Sequence, residues 1–152
     1  MEFQEYVYDK FIFKVKDGIY YHKDGCWVEK LNSKAKIGVT DFFQTLNGDI
    51  AFVNLFAPGI DVKQGGELGD IETMKVSFSI TSPVSGKIIE HNKELEISPE
   101  LINLDPFGKG WLAVIELSNF EKDKLNLMDS KSYYDFMKLK VEEEGQRLKG
   151  NE

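Results

Sequence analysis

The chain is poor in the residues that build most metal and nucleophile sites. Its 152 residues include one cysteine and two histidines. A single cysteine, Cys26, excludes an intramolecular disulfide and a four-cysteine metal site, and it reads as a small, half-buried packing residue rather than a catalytic thiol. His22 and His91 lie far apart with no Cys or acid at ligand spacing, so each reads as a surface or strand residue rather than a metal ligand. Long hydrophobic runs are missing as well: no stretch reaches the apolar length that spans a bilayer. Residues 1–16 alternate apolar and charged side chains and show neither a signal-peptide core nor a small-residue cleavage site, which makes a cytoplasmic location the expectation. Positive charge is in deficit, 19 Lys and Arg against 26 Asp and Glu for a net charge of −7, and that balance gives no general attraction for nucleic acid or an anionic membrane. The nucleophile elbow, the Walker loop, a G-x-G-x-x-G after a strand and the H-E-x-x-H helix are all absent. Acids are abundant but scattered, so no carboxylate pair stands out. None of this makes an independent enzyme.

What is present is a β-rich pattern. The length suits one compact domain. Residues 11–15 and 18–21 read as short strands around a turn at Asp17-Gly18, and Asp24-Gly25 is a second turn signal before Trp27 and Val28. Residues 35–39 alternate like a strand. Thr40-Asp41 caps a short helix through Phe42, Phe43 and Leu46, with Gly48 placed to take a left-handed C-terminal conformation. The apolar run 50–55 predicts a buried strand. Pro58-Gly59 and Gln64-Gly65-Gly66 mark turns. Residues 68–71 and 76–80 flank a polar tip at 72–75. After a break at Ser82-Pro83, residues 84–90 resume as a strand in which Gly86 suggests a bulge or a close backbone approach. Ser98-Pro99-Glu100 predicts a short helix with Ser98 as its cap, residues 105–110 a loop, and 111–117 a further strand. Ser132-x-x-Asp135 fits a capping box for a last helix bearing Tyr133, Phe136, Met137, Lys140 and Val141 on one face. The tail 142–152 is expected to fray. Seven or more short strands with small helices predict a flattened β-sandwich or barrel.

The informative segment is Gly69-Asp70-Ile71-Glu72-Thr73-Met74-Lys75-Val76. A lysine at a hairpin tip stands in solvent on a rigid base, within reach of a modifying enzyme. A modified lysine there can carry a reactive group between active sites, and tethering raises the effective concentration of that group at a docked partner. On local features alone a plain solvated turn lysine is the favoured reading, since turn lysines are common.

The wider sequence resembles the H protein of the glycine cleavage system from Tyr21 to about Leu117, and more loosely to the end. Tyr21-His22-Lys23-Asp24 with Trp27-Val28, Ile37-Gly38-Val39-Thr40-Asp41-Phe42, and Leu46-x-Gly48-Asp49-Ile50 are similar to its opening blocks. Ile71-Glu72-Thr73-Met74-Lys75 is similar to its lipoylation block, followed by Ser82-Pro83-Val84-Ser85-Gly86. Pro99-Glu100-Leu101-Ile102-Asn103 and Asp105-Pro106-Phe107-Gly108-x-Gly110-Trp111-Leu112 match its closing block. The resemblance implies a mainly β lipoyl-domain fold, a barrel-sandwich hybrid with short helices and a C-terminal helix. It divides the chain into an extension at 1–20, a carrier domain at 21–128, and a helix with a charged tail at 129–152.

By position, the resemblance implies covalent lipoate on Lys75, with Glu72 helping a lipoate-attaching enzyme recognise the turn. The protein would then be a carrier rather than an enzyme. Its dithiolane would accept an aminomethyl group from a pyridoxal-phosphate glycine decarboxylase and yield it to a folate-dependent aminomethyltransferase. Dihydrolipoamide dehydrogenase would reoxidise the thiols. Three departures qualify the match. Gly25-Cys26 stands where the family usually has His-Glu before the tryptophan, Val76-Ser77-Phe78-Ser79 is more apolar and less acidic than usual, and the stretch before Tyr21 is long. Phe78 reads as strand packing or as a changed docking surface. These departures also suit an H-like paralogue carrying sulfur intermediates for a heterodisulfide-reductase-like sulfur-oxidation complex. Met74-Lys75 further resembles a biotin-carrier site, although Val76 and Glu72 speak against that, and an unmodified interaction module is a third class.

Overall fold

The structure, a computed structural model, describes residues 2–150. In chain order the strands and helices are β1 Phe3–Tyr8, β2 Phe11–Lys16, β3 Tyr20–Tyr21, β4 Cys26–Leu31, β5 Lys34–Val39, α1 Asp41–Asn47, β6 Ile50–Leu55, β7 Asp61–Val62, β8 Glu67–Thr73, β9 Ser77–Thr81, β10 Gly86–His91, α2 Glu94–Ile97, α3 Leu101–Leu104, β11 Ala113–Leu117, α4 Phe120–Asp123, α5 Ser130–Glu143 and α6 Gly145–Gly150. A single 3₁₀ turn, Lys124–Asn126, follows α4.

All pairings are antiparallel. A six-stranded sheet in the order β3-β4-β5-β11-β10-β7 faces a three-stranded sheet β6-β8-β9, and β1 with β2 forms a separate hairpin. Alternating side chains explain the layering, because successive residues of a strand point to opposite faces. The main core fills the space between the two larger sheets with residues such as Val28, Ile37, Leu68, Ile71, Ile88 and Ile115. This is the flattened sandwich that the strand pattern predicted.

A second core lies on the other side of β4. Cys26 and Val28 point into the sandwich, whereas Trp27 between them packs with Phe13, Val15, Tyr21, Tyr133, Met137 and Val141. Trp27 is directly opposite Gly38 on β5, and a Cβ at Gly38 would sit 2.6 Å from indole Cε2. The bare backbone therefore lets the indole lie flat across the neighbouring strand. Its Nε1 donates to the Pro106 carbonyl at 3.0 Å, and Tyr21 stacks on Tyr133 at 4.2 Å. The β1–β2 hairpin and α5 close this second core from outside.

Several expectations need correction. Residues 3–8 form a full strand paired with β2, and β4 runs on to Leu31. The run 50–55 is not buried throughout: Ile50 and Val53 point inward while Phe52 is 63% exposed. Strand β8 continues through Thr73, so Glu72 belongs to the strand rather than to the tip. Ser98 makes no side-chain cap, and α3 begins at Leu101 behind single-turn α2. The last helix starts at Ser130, capped by Asp129, whose carboxylate accepts from Ser132 N at 2.8 Å. That bond holds the Asp129 pKa below its ordinary value. The tail does not simply fray: α6 buries Leu148, and residues 151 and 152 lie outside the described residues. By contrast Thr40 caps α1 through Phe43 N, and Gly48 ends it at φ 81°. Among the described residues no helix is long and apolar enough to cross a membrane.

Candidate functional site

Lys75 lies in the exposed turn between β8 and β9. The turn is closed by the backbone bond from Thr73 N to Val76 O at 2.9 Å. The Thr73 hydroxyl reinforces it, accepting from Lys75 N and Val76 N, each at 3.2 Å. Short hydroxyl side chains commonly satisfy turn amides in this way. Four residues thus form a rigid loop whose own backbone is tied while the Lys75 side chain is left to solvent. Among the described residues no ion pair involves Lys75 or Glu72. Thr73 was not singled out from the sequence, although a hydroxyl residue two positions before a turn lysine is a usable signal.

Glu72 and Lys75 are brought to the same end of the hairpin. Glu72 pairs with Ser77 on β9 and with Phe52 on β6. One row further down the outer face, Asn54 Nδ2 donates to Asp70 Oδ1 at 2.9 Å. Strands β6, β8 and β9 contain Glu67, Asp70 and Glu72 and no lysine or arginine, so this face is acidic.

On the inner side, Phe78 packs against Phe43 of α1 with ring centroids 5.7 Å apart. Phe43 in turn fills the space above Gly25. A Cβ at Gly25 would overlap Phe43 Cδ2 and lie 3.1 Å from Cε2, and Gly25 has φ 108°. The contact with the α1 aromatic resolves Phe78 as strand packing. It also gives a local reason for glycine at position 25: a side chain there would displace the Phe43 ring from its place. Asp41 at the start of α1 accepts from Lys14 N at 2.8 Å, which ties α1 to the N-terminal hairpin.

Cys26 is buried, with its thiol toward the Thr81 carbonyl at 3.6 Å, and burial pushes its pKa up to about 12. Such a thiol is inert at neutral pH. His22 is buried rather than at the surface. Its Nδ1 accepts from Asp24 N at 3.1 Å, and burial lowers its pKa against the smaller opposing pull of Asp24. His91 lies in β10 with Nδ1 3.3 Å from the Phe56 carbonyl. The two histidines and Cys26 are not gathered into one site, and no group of His, Cys, Asp and Glu among the described residues is arranged to hold a metal.

Two hollows bear on where a ligand could sit. One of about 250 Å³ is lined by Gly25, Phe42, Phe43, Leu46, Tyr133 and Phe136. A larger one of about 710 Å³ lies beyond the far ends of β8 and β9, at Gln64, Ser85 and Asp123. It is the wider of the two but sits away from Lys75, and the buried Asp123 carboxylate is already satisfied by Ser85 N at 2.6 Å.

Comparison with known proteins agrees with this fold. The family model described as glycine cleavage H-protein matches residues 19–140. A glycine cleavage system H protein from Coprothermobacter proteolyticus is 46% identical over 125 residues, covering 82% of this chain and 98% of that protein. A probable glycine cleavage system H protein from Pyrococcus abyssi is 42% identical over 127 residues, covering 83% of this chain and 94% of that one. The crystal structure of a glycine cleavage system H protein from Mycobacterium marinum superposes with a TM-score of 0.68 at 25% identity, covering 78% of this chain and 95% of that one.

Proposed function

Because the chain belongs to the glycine cleavage H-protein family, we propose that Lys75 is the residue through which it carries lipoate. Members of this family are lipoyl carriers in glycine cleavage and not enzymes. Glycine decarboxylase, aminomethyltransferase and lipoamide dehydrogenase are the partners the family implies. The observation that carries the assignment of Lys75 is its position: an exposed primary amine outside any ion pair, on a turn clamped by Thr73.

The residues present fit the group. Amide formation needs an accessible amine and no enclosing pocket, and the hairpin offers both. When attached, the arm supplies a dithiolane for thiol–disulfide chemistry and for carrying an aminomethyl group. The chain's own part is positional. Thr73 fixes the backbone from which the Lys75 side chain departs, and the two sheets beneath hold that turn still while the side chain moves. Tethering then keeps the carried group at high local concentration beside any docked partner. Glu72, one residue before Thr73, supplies a fixed carboxylate by which a lipoate-attaching enzyme orients the turn. Gly25 and Cys26 carry no charge, unlike the His-Glu pair the family usually has at those positions. None of the findings supports a sulfur-intermediate cargo.

Intact-mass measurement of the protein from its native host tests the assignment. A lipoyl-sized increment on the wild type, lost in Lys75→Arg, is expected. The variant should keep its fold, since exposed surface changes stay within about 0.5 kcal/mol. Retention of the increment in Lys75→Arg refutes the site. A biotin-sized increment refutes the cofactor, and an unmodified mass in every preparation points to an interaction module instead.

A further inference from the structure

We propose that Phe52 is the contact by which a lipoate-attaching enzyme recognises this chain as it acylates Lys75, an inference that rests on Lys75 being the attachment site. The register between β6 and β8 shifts between Ile50 and Phe52. In a regular strand these two residues share a face, because side chains alternate. The extra residue, Ala51, breaks that rule: Ile50 turns into the core at 5% exposure while Phe52 is left 63% exposed, opposite Glu72. Bulges of this kind re-aim a side chain, and they gather at functional edges.

One exposed apolar residue is ordinary. Here three stand at one end of the hairpin, Phe52 opposite Glu72 and the exposed Met74 and Val76 on either side of Lys75 in the turn. The surrounding strands carry Glu67, Asp70 and Glu72 without a cation. The complementary partner surface is an apolar pocket rimmed with basic side chains.

Reach selects which partner this is. The atom acylated is Lys75 Nζ itself. The amide bond forms from Nζ to the lipoyl carbonyl carbon as that carbon's bond to its activating group, a phosphate oxygen of an acyl adenylate, breaks. The adenylate leaves with the electron pair, and Nζ gives up a proton to solvent. An enzyme that brings its activated acyl group within bonding distance of an unmodified lysine must touch the turn and the strand row below it. With a rise of about 3.3 Å per residue, the Phe52–Glu72 row lies roughly one residue beneath the closing Thr73–Val76 pair. Enzymes that act on the far end of an attached arm have no such need to touch this row. Exposed aromatic rings are favoured anchors of such contacts.

The test uses the full-length unmodified chain, a lipoate–protein ligase, lipoate and ATP, with rates read by intact mass as acceptor concentration varies. For Phe52→Ala, kcat/KM should fall at least about tenfold, through KM, with kcat within about twofold of wild type. Phe52→Tyr should stay within about threefold of wild type. Phe52→Thr, a good strand former, should behave as Phe52→Ala and so guards against a folding artefact. If both truncated variants keep kcat/KM within about twofold of wild type, Phe52 is not the contact. If the wild type gains no lipoyl group, or Lys75→Arg gains one equally, the attachment reading itself fails, and this inference with it. Wild type and Phe52→Ala are also compared after full lipoylation. Equal rates of aminomethyl loading by a glycine decarboxylase are expected. An equal tenfold loss there makes the face a general docking surface and overturns its assignment to attachment.

Discussion

Gly25→Ala is the sharpest perturbation of the site's foundations. Two costs combine. The φ of 108° is a conformation that L side chains rarely adopt, and the added methyl would overlap the Phe43 ring. Backbone strain of this kind costs about 1–3 kcal/mol, and overpacking costs a further 1–3 kcal/mol. A loss of unfolded-state freedom returns about 0.4–1 kcal/mol. The net destabilisation is about 1–6 kcal/mol, or roughly 2–24 °C in Tm for a domain of this size. Phe43→Ala removes only the packing part. In that background Gly25→Ala should cost about 0–3 kcal/mol, the strain less the unfolded-state return, so the double-mutant cycle should show a coupling of about 1–3 kcal/mol, the overpacking removed. Urea unfolding followed by tryptophan fluorescence measures all four corners, with Trp27 in the adjoining core as reporter. A coupling below about 0.5 kcal/mol is the additivity expected of independent sites. That result refutes the claim that position 25 is glycine to admit Phe43.

Two other outcomes follow from the packing and the titrations. Phe13 is fully buried and meets Phe42 at 5.8 Å. Phe13→Ala should therefore cost about 3–5 kcal/mol, whereas the exposed Ile12→Ala should stay within about 0.5 kcal/mol; equal values in urea titration would contradict the second core. Burial depresses the His22 pKa from its ordinary 6.5, so below that pH the unfolded chain takes up its proton first. The His22 contribution is complete above 6.5 and declines as pH falls towards the folded value. His22→Asn, which keeps an acceptor for Asp24 N, should flatten the urea midpoint against pH across roughly pH 5–7; an unchanged slope argues against a buried neutral imidazole.

Much of the architecture is legible in local sequence because local rules govern it. Alternation marks β5 and β11, Thr40 and Gly48 bracket α1, and the apolar runs on either side of Lys75 set out the hairpin that presents it. Lys75 itself was found by its sequence block, not by its neighbours, since a turn lysine has no distinctive local chemistry. What escaped has non-local causes. A bulge depends on the partner strand, so the run 50–55 looked uniformly buried. The exchange of Gly25 for bulk depends on a ring in α1, eighteen positions away in the chain. Residues 3–8 are mostly exposed, and their strand exists because β2 and α5 offer a surface for it. Asp129 caps α5 because its carboxylate accepts from the Ser132 amide, so the helix begins one turn before the place a Ser132 cap would start it.

The placement of Trp27 between Cys26 and Val28 has a consequence for cooperativity. A single strand presents alternate side chains to two cores, so loss of β4 removes packing from both at once. The N-terminal hairpin and the C-terminal helices are therefore not appendages hung on a self-sufficient carrier. They cover a surface that the carrier's own tryptophan helps to make, and a single unfolding transition read alike by Trp fluorescence and by far-UV CD is the expected outcome.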